Sequence, residues 1–318
     1  MKQLKLIIMG TPSFALPSLD LLYRSPHRID ALVVPPDRPC GRGGQVRSTP
    51  VKEWALKHRV EVVQPGKLNE ENFLFWLKGK EPDLIITVAF GQLLPPAVLQ
   101  LPPLGCINLH ASYLPAYRGA APIHRVVING MEYSGVSIMA MSPELDAGDI
   151  IMQEKEAISP FDTVGMLHDR LAVRGAALLL KAVEALAAGT AKRLPQEHAE
   201  ATYAPPLSPE DEQLDWNRSA IEIYNRIRGL NPWPGAYTAF EGKRIKVWRA
   251  ARPEAAGTAS THQPPGTIIA VGKDSLTVVT GEGNLTLLDL QPAGKKTMDA
   301  GSFCCGYRLE PGNRLDGE

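Results

Sequence analysis

The chain has 318 residues, 34 Lys and Arg against 34 Asp and Glu, 44% apolar residues and 21% charged ones. That composition excludes a disordered or fibrous chain, and a zero formal charge excludes a generic polyanion binder while leaving room for a local basic surface. The length asks for two domains, and no apolar run approaches the roughly 20 residues that span a bilayer, so no membrane partner is expected.

The first half alternates strand and helix signals. Leu4–Met9, Asp30–Val34, Val60–Val63 and Leu84–Ala89 are short runs rich in Val, Ile and Leu, the pattern of parallel strands buried on both faces. The N-terminus lacks a signal-peptide h-region and cleavage site. Thr11-Pro12 predicts a helix through Tyr23, with Thr as cap and Pro at the first helical position. Further helices are expected over Val51–His58 and Asn69–Lys78, giving right-handed strand-helix-strand crossovers and an open α/β sheet. Strands follow at Gly105–His110, Gly135–Met141 and Ile150–Glu156. A helix from Thr163 to Ala188 carries the apolar stripe Met166, Leu167, Leu171, Leu178, Leu179, Val183 and Leu186, with Gly189 as its stop. The first domain is therefore expected to span 1–189. Thr190–Pro206, broken by Pro195, Pro205 and Pro206, reads as a linker. In 207–318, a helix over Ser219–Leu230 precedes Ala236–Phe240, Arg244–Arg249, Gly266–Val271, Ser275–Thr280 and Leu285–Leu290. Short strands between Gly-rich turns predict a small β-barrel.

Cys40, Cys106, Cys304 and Cys305 form no CxxC pair, so neither a metal site nor a disulfide framework is expected, and a cytoplasmic, reducing setting follows. Cys304-Cys305 reads as a pair of buried thiols. Gly10-Thr11-Pro12 sits where a dinucleotide would bind, but G-x-G-x-x-G and Walker A patterns are both missing. The strongest local signal is Cys106-Ile107-Asn108-Leu109-His110-Ala111-Ser112. Strand alternation puts Asn108 and His110 on one face, at the strand end where open α/β sheets bind ligands. Asn supplies an amide donor and His a group that exchanges protons near neutral pH. Spacing alone leaves a satisfied buried polar pair equally open. In the turn Leu145-Asp146-Ala147-Gly148-Asp149, Asp146 is the carboxylate suited to orient a strand-end His, whereas Asp149 fits an ordinary turn aspartate.

Asn108-Leu109-His110-Ala111-Ser112, Leu114-Pro115, Arg118-Gly119-Ala120-Ala121-Pro122 and Leu145–Asp149 together resemble the folate-dependent formyltransferases. The resemblance runs nearly the whole chain, through Pro36–Gly43, Val88–Gly91, Asn231-Pro232-Trp233-Pro234, Lys246-Val247-Trp248 and Leu290–Lys296. Ala111, where many members carry Gly, and Tyr113, Tyr117 and Phe90 are departures that leave the catalytic positions intact. The resemblance implies a Rossmann-like formyltransferase domain followed by an OB-like barrel. It implies 10-formyltetrahydrofolate as co-substrate, no metal, and catalysis by Asn108, His110 and Asp146. Phe90, Gly91, Ser112, Leu114 and Pro115 are expected to line the folate pocket.

Within that family the match is to the branch whose acceptor is the methionine on initiator Met-tRNA. The expected tRNA contacts are Arg38 and Arg42 in the basic glycine-rich loop Pro35–Pro50, Lys246 and Arg249 in the acid-free run Lys243–Arg252, and Lys295 and Lys296. A monomer is expected. The rivals are formyl transfer to an amino sugar nucleotide, hydrolysis of the folate, and a non-catalytic RNA-binding protein; a dinucleotide oxidoreductase ranks last.

Overall fold

The computed structural model describes residues 2–40, 45–253 and 263–315. The chain forms two compact units: Met1–Pro122, Ser134–Glu156 and His168–Pro205 make the first; Ile123–Tyr133, Ala157–Leu167 and Pro206–Glu318 make the second.

The first unit is an α/β sheet. Its elements are β1 (Lys5–Gly10), α1 (Leu16–Arg24), β2 (Arg28–Val33), the short pair β3 (Arg38–Cys40) and β4 (Gln45–Arg47), α2 (Pro50–His58), β5 (Glu61–Val63), α3 (Glu71–Lys80), β6 (Leu84–Val88), α4 (Pro96–Leu99) and β7 (Cys106–His110). Then come β8 (Arg118–Gly119), β9 (Tyr133–Ala140), β10 (Ile150–Ala157), the part of α6 (Val164–Ala187) from His168 on, and β11 (Tyr203–Ala204), while α5 (Pro122–Ile128) after its first residue and the start of α6 belong to the second unit. Seven strands pair in the order β10-β9-β7-β6-β1-β2-β5. Neighbours from β7 through β5 are parallel, and β9 runs antiparallel to β7. Every residue of β6 is buried, as its unbroken apolar run requires. The chain leaves β1 toward β2 and β5, then returns to β6 on the other side. The crevice beyond the carboxyl ends of β1, β6 and β7 is thus the topological switch point of the sheet.

Three local expectations change. The helix after β1 starts at Leu16, not at Pro12: Ser13–Ala15 form a 3-10 turn, closed by Ala15 N donating to Pro12 O at 3.1 Å, and Pro17 takes the first-turn proline position. Met166, expected in the α6 stripe, is exposed, while Leu167, Leu171, Leu179 and Val183 are fully buried. The stretch Thr190–Pro206, expected as a linker, is hydrogen-bonded into the first unit. Leu194 and Ile150 exchange both backbone bonds, at 2.8 and 2.9 Å, and β11 pairs in parallel with β8.

The second unit contains α7 (Pro209–Glu212), α8 (Ala220–Gly229), β12 (Ala236–Phe240), β13 (Lys243–Ala250), β14 (Ile268–Val271), β15 (Leu276–Val279), β16 (Asn284–Pro292), β17 (Met298–Asp299) and α9 (Ala300–Tyr307). Its antiparallel strands run β12-β13-β16-β15-β14, with β17 on β16. This is the small barrel-type architecture the strand spacing predicts. Ser219 and Glu222 form a capping box on α8, whose Ile223 and Ile227 pack with Ile245, Val247, Leu276, Leu285, Leu287 and Phe303 in one core. α9 was not expected, because AGSFCCGY has poor helix propensity. Burial of Phe303 and Cys304, together with the Asp299 cap on Ser302 N at 2.7 Å, overrides it. Cys304 is buried and Cys305 exposed, so the pair does not share one environment. Among the described residues no helix is long and apolar enough to cross a membrane.

Candidate active site

Three segments meet at the carboxyl end of β7: the strand itself, the loop Ser112–Gly119, and the turn Glu144–Gly148 that follows β9. On β7, Ile107 and Leu109 are buried in the sheet's packing, and Asn108 and His110 lie on the alternate face. Thr87, the register partner of Asn108 on β6, donates its hydroxyl to Asn108 Oδ1 at 2.8 Å. This fixes the amide: Oδ1 is occupied, and the Nδ2 donors are left without a protein partner among the described residues. Cys106, two residues back, donates weakly to the Val98 and Leu99 carbonyls, and burial pushes its thiol up to about 12. It stays a protonated core side chain, not a nucleophile.

His110 is 6% exposed, and both ring nitrogens face acceptors. Nε2 lies 3.0 Å from the Tyr117 carbonyl, so that nitrogen carries a proton. Nδ1 lies 3.6 Å from Asp146 Oδ2. That separation exceeds hydrogen-bond length. Asp146 is held in turn: its Oδ2 accepts from Gly119 N at 2.8 Å, and its backbone has φ +49°. The turn is pressed against β9, since a Cβ added to Gly148 would stand 1.8 Å from the Ala140 carbonyl oxygen. Only glycine fits there.

Sequence reasoning left out the residue that ties these segments together. Gln196, 5% exposed and inside the supposed linker, accepts from Arg118 Nε and Nη2 at 3.1 and 2.7 Å. Its Nε2 donates to the carbonyls of Asp146 and Gly148 at 2.9 and 2.7 Å. Ser137, opposite His110 in the β7–β9 register, donates to Ser112 O and accepts from Leu114 N and Gln153 Nε2. A glutamine in a proline-broken stretch carries no catalytic pattern of its own; the paired position of Ser137 on β9 was the only available hint.

Of the residues expected around the folate, Gly91 has φ +76° and open space where a Cβ would be, which suits close approach of a ligand to the backbone. Phe90 is 7% exposed within the core cluster of Leu94, Val98 and Cys106. Ser112 is buried and donates to Ala116 O at 2.6 Å, and Leu114 is buried with Met139 and Ile150 ahead of a cis bond to half-buried Pro115. Side chains so enclosed brace the turn itself. Gly91 offers open backbone, and the Asn108 amide keeps Nδ2 without a protein partner among the described residues. Among the described residues no group of three or more His, Cys, Asp or Glu could hold a metal ion.

The expected tRNA residues fall elsewhere. Arg42 lies outside the described residues, and Arg38 pairs with Arg47 in the β3–β4 register. On β13, Ile245 and Val247 point into the core, which turns Arg244, Lys246 and Trp248 outward. Arg244 stacks 3.7 Å over the Tyr237 ring, and Lys246 lies 5.2 Å from the Trp248 ring while donating to Pro234 O. Arg249 comes after a register shift and is paired with Asp289 at 2.6 Å, so its charge is already answered. Lys295 and Lys296 are exposed in the turn between β16 and β17.

Comparison with known proteins supplies the context. The family profile described as "Formyl transferase" matches residues 2–183, and that described as "Formyl transferase, C-terminal domain" matches residues 206–308. Methionyl-tRNA formyltransferase of Moorella thermoacetica is 49% identical over 314 residues, covering 98% of this chain and 99% of its own. That of Pelotomaculum thermopropionicum is 45% identical, covering 97% of each chain. Among solved structures, the sugar 3N-formyl transferase WlaRD superposes with a TM-score of 0.66 at 17% identity, covering 93% of this chain and 100% of that one. The likeness to WlaRD is one of fold.

Proposed function

The chain belongs to the formyl transferase family, and we propose that it transfers the formyl group of 10-formyltetrahydrofolate to the α-amino group of methionine on initiator tRNA. The observation that carries this reading is full-length identity of 39–49% to methionyl-tRNA formyltransferases, combined with Asn108, His110 and Asp146 at one strand end. The folate supplies an activated formyl carbon; a neutral amine attacks it, negative charge grows on the formyl oxygen, the amine loses a proton, and collapse of the adduct breaks the formyl C–N10 bond and releases tetrahydrofolate with N10 protonated. Asn108 Nδ2, held outward by Thr87, is the donor free to meet that oxygen. His110 Nδ1 is the position that takes up the departing proton, and the Asp146 carboxylate stabilises the ring once it is charged. Tyr117 O keeps the imidazole plane fixed meanwhile. Gly91 and the Ser112–Pro115 turn are proposed as the walls of the folate site.

For the tRNA, the outward set Arg244, Lys246 and Trp248 with Tyr237 combines cations and rings as single-stranded nucleic acid platforms do. Lys295 and Lys296, and on sequence grounds Arg38 and Arg42, are proposed phosphate contacts, with Arg249 a weaker one because of Asp289. We further propose that the protein acts as a monomer in the cytoplasm. The test is formyl transfer by the purified chain to Met-charged initiator tRNA, Met-charged elongator tRNA, an amino sugar nucleotide, or no acceptor. Product confined to initiator tRNA supports the reading; sugar formylation or bare folate turnover overturns the acceptor.

A further inference from the structure

We propose that Gln196 is a positioning residue of this site: its side-chain amide sets the Asp146–Gly148 turn and thereby the reach of Asp146 to His110. The geometry is independent of function; the kinetic assay rests on the formyl-transfer reading above.

The amide has one permitted orientation. Arg118 is 2% exposed and a guanidinium only donates, so the atom facing its Nε and Nη2 is the carbonyl oxygen of Gln196. The amide nitrogen then faces the opposite way, toward the carbonyls of Asp146 and Gly148. Both protons of Nε2 and both acceptor directions of Oε1 are used. Arg118 makes no ion pair within 4 Å among the described residues; its remaining side-chain contact is His198 Nδ1 at 3.4 Å. The charge of Arg118 therefore acts on a neutral amide, and charge-assisted bonds are the ones that hold orientation most firmly.

The parts on which Gln196 acts need holding. Asp146 sits at φ +49°, a conformation that a non-glycine residue keeps only when its surroundings impose it. The carboxylate has a second anchor at Gly119 N, the residue after Arg118, and Tyr117 O on the other side of Arg118 takes His110 Nε2. Three consecutive residues thus serve the histidine, the amide and the carboxylate. The stretch that delivers Gln196 is fixed on both sides, by the Leu194–Ile150 exchange and by β11 on β8. A glutamine that merely glued this stretch down would need its bonds to Arg118 but not a pair of bonds to the two carbonyls flanking Ala147.

Gln196→Glu separates the two roles. The carboxylate keeps both bonds from Arg118 and adds an opposite charge, so the fold is retained. It has no proton for the turn carbonyls, so Asp146 is released. The expected result is a protein that still melts cooperatively, within about 10 °C of the parent because the Arg118 ion pair offsets the two lost bonds, and a kcat lower by about 100-fold, the scale of a 1 Å misplacement. KM for folate and Met-tRNA should hold within about twofold, since no substrate contact is lost. In an Asp146→Asn background the same substitution should change kcat by less than about twofold, because its effect runs through Asp146. The 15N signals of the His110 ring should also move in Q196E. A kcat near the parent value, losses that add across the two backgrounds, or unmoved His110 signals would overturn the proposal. Should Q196E not fold, Gln196→Asn carries the test: it is neutral but one methylene too short to span Arg118 and both carbonyls, so kcat falls at constant KM, and an unchanged kcat refutes the idea. If the parent protein forms no formyl-methionyl product, the functional reading falls, while the His110 signals still decide this one.

Discussion

Asn108→Ala is the sharpest test of the proposed chemistry, because only one end of the amide is engaged by the protein among the described residues. Oδ1 accepts from Thr87, while Nδ2 has no protein partner among the described residues. Removing a donor aimed at a developing oxyanion costs about 2.7–4 kcal/mol of transition-state stabilisation, or roughly 10²–10³-fold in kcat. The effect on stability is small by comparison. Only one side-chain hydrogen bond is lost, worth about 1 kcal/mol net, and the Thr87 hydroxyl has the Ile107 carbonyl 3.3 Å away as a second acceptor. For a unit of this size that corresponds to a fall of about 2–4 °C in melting temperature. Asn108→Asp keeps the shape and the acceptor for Thr87 but puts a carboxylate where the donor was, so its kcat should fall at least as far. The assay is initial-rate formylation at saturating folate and Met-tRNA, run beside thermal melting. A loss in kcat under about tenfold, or a melting drop beyond about 10 °C, would show that Asn108 is a structural amide and refute the oxyanion assignment.

Other perturbations reach different parts of the molecule. Gly148→Ala drives a methyl into the Ala140 carbonyl oxygen, so the Asp146 turn must shift and kcat should fall by about 100-fold; near-parental turnover would mean the turn adapts freely. Replacing Lys295 and Lys296 together by Ala should lower the slope of log K for tRNA against log salt by about 1.4–1.8, whereas an unchanged slope removes that turn from the interface. The Asp211 carboxyl is held below the ordinary carboxylate range by its bonds to Arg125. A depressed carboxyl contributes stability above its unfolded value, about 3.9, and that contribution disappears as pH falls through the folded value. Urea midpoints should therefore drop as pH is lowered below about 4, and Arg125→Met should flatten that dependence; parallel curves would refute it. Cys106 and Cys304, their thiols pushed up to about 12 and about 11 by burial, should escape alkylation at neutral pH while exposed Cys305 reacts, as peptide mapping will show.

What was legible in the sequence followed from periodicity. Buried parallel strands announce themselves as apolar runs, and Asn108 and His110 were placed on one face by the two-residue repeat alone. Asp146 was legible as a turn carboxylate because Gly148 marked the turn. Gln196 was not, since its meaning lies in four long-range bonds to Arg118, Asp146 and Gly148, and its neighbours Pro195 and Glu197 resemble any solvated connection. Arg249 misled in the opposite direction: an acid-free run looks unpaired until strand pairing brings Asp289 across from β16. α9 was missed because burial of Phe303, a tertiary effect, outweighed local propensity. Helix starts were read one turn early where a 3-10 turn intervened after β1.

The ties that bind residues 194–204 to β8 and β10 have a consequence for how this chain can be divided. A fragment ending at Gly189 would keep every strand of the seven-stranded sheet and the three side chains proposed for catalysis, and would look complete by composition. It would nonetheless leave the Arg118 guanidinium buried without its acceptor, strip β8 of its partner, and free the Asp146 turn. The first unit thus closes only after the chain has passed beyond α6, so a fragment meant to keep it intact would have to extend to Pro205.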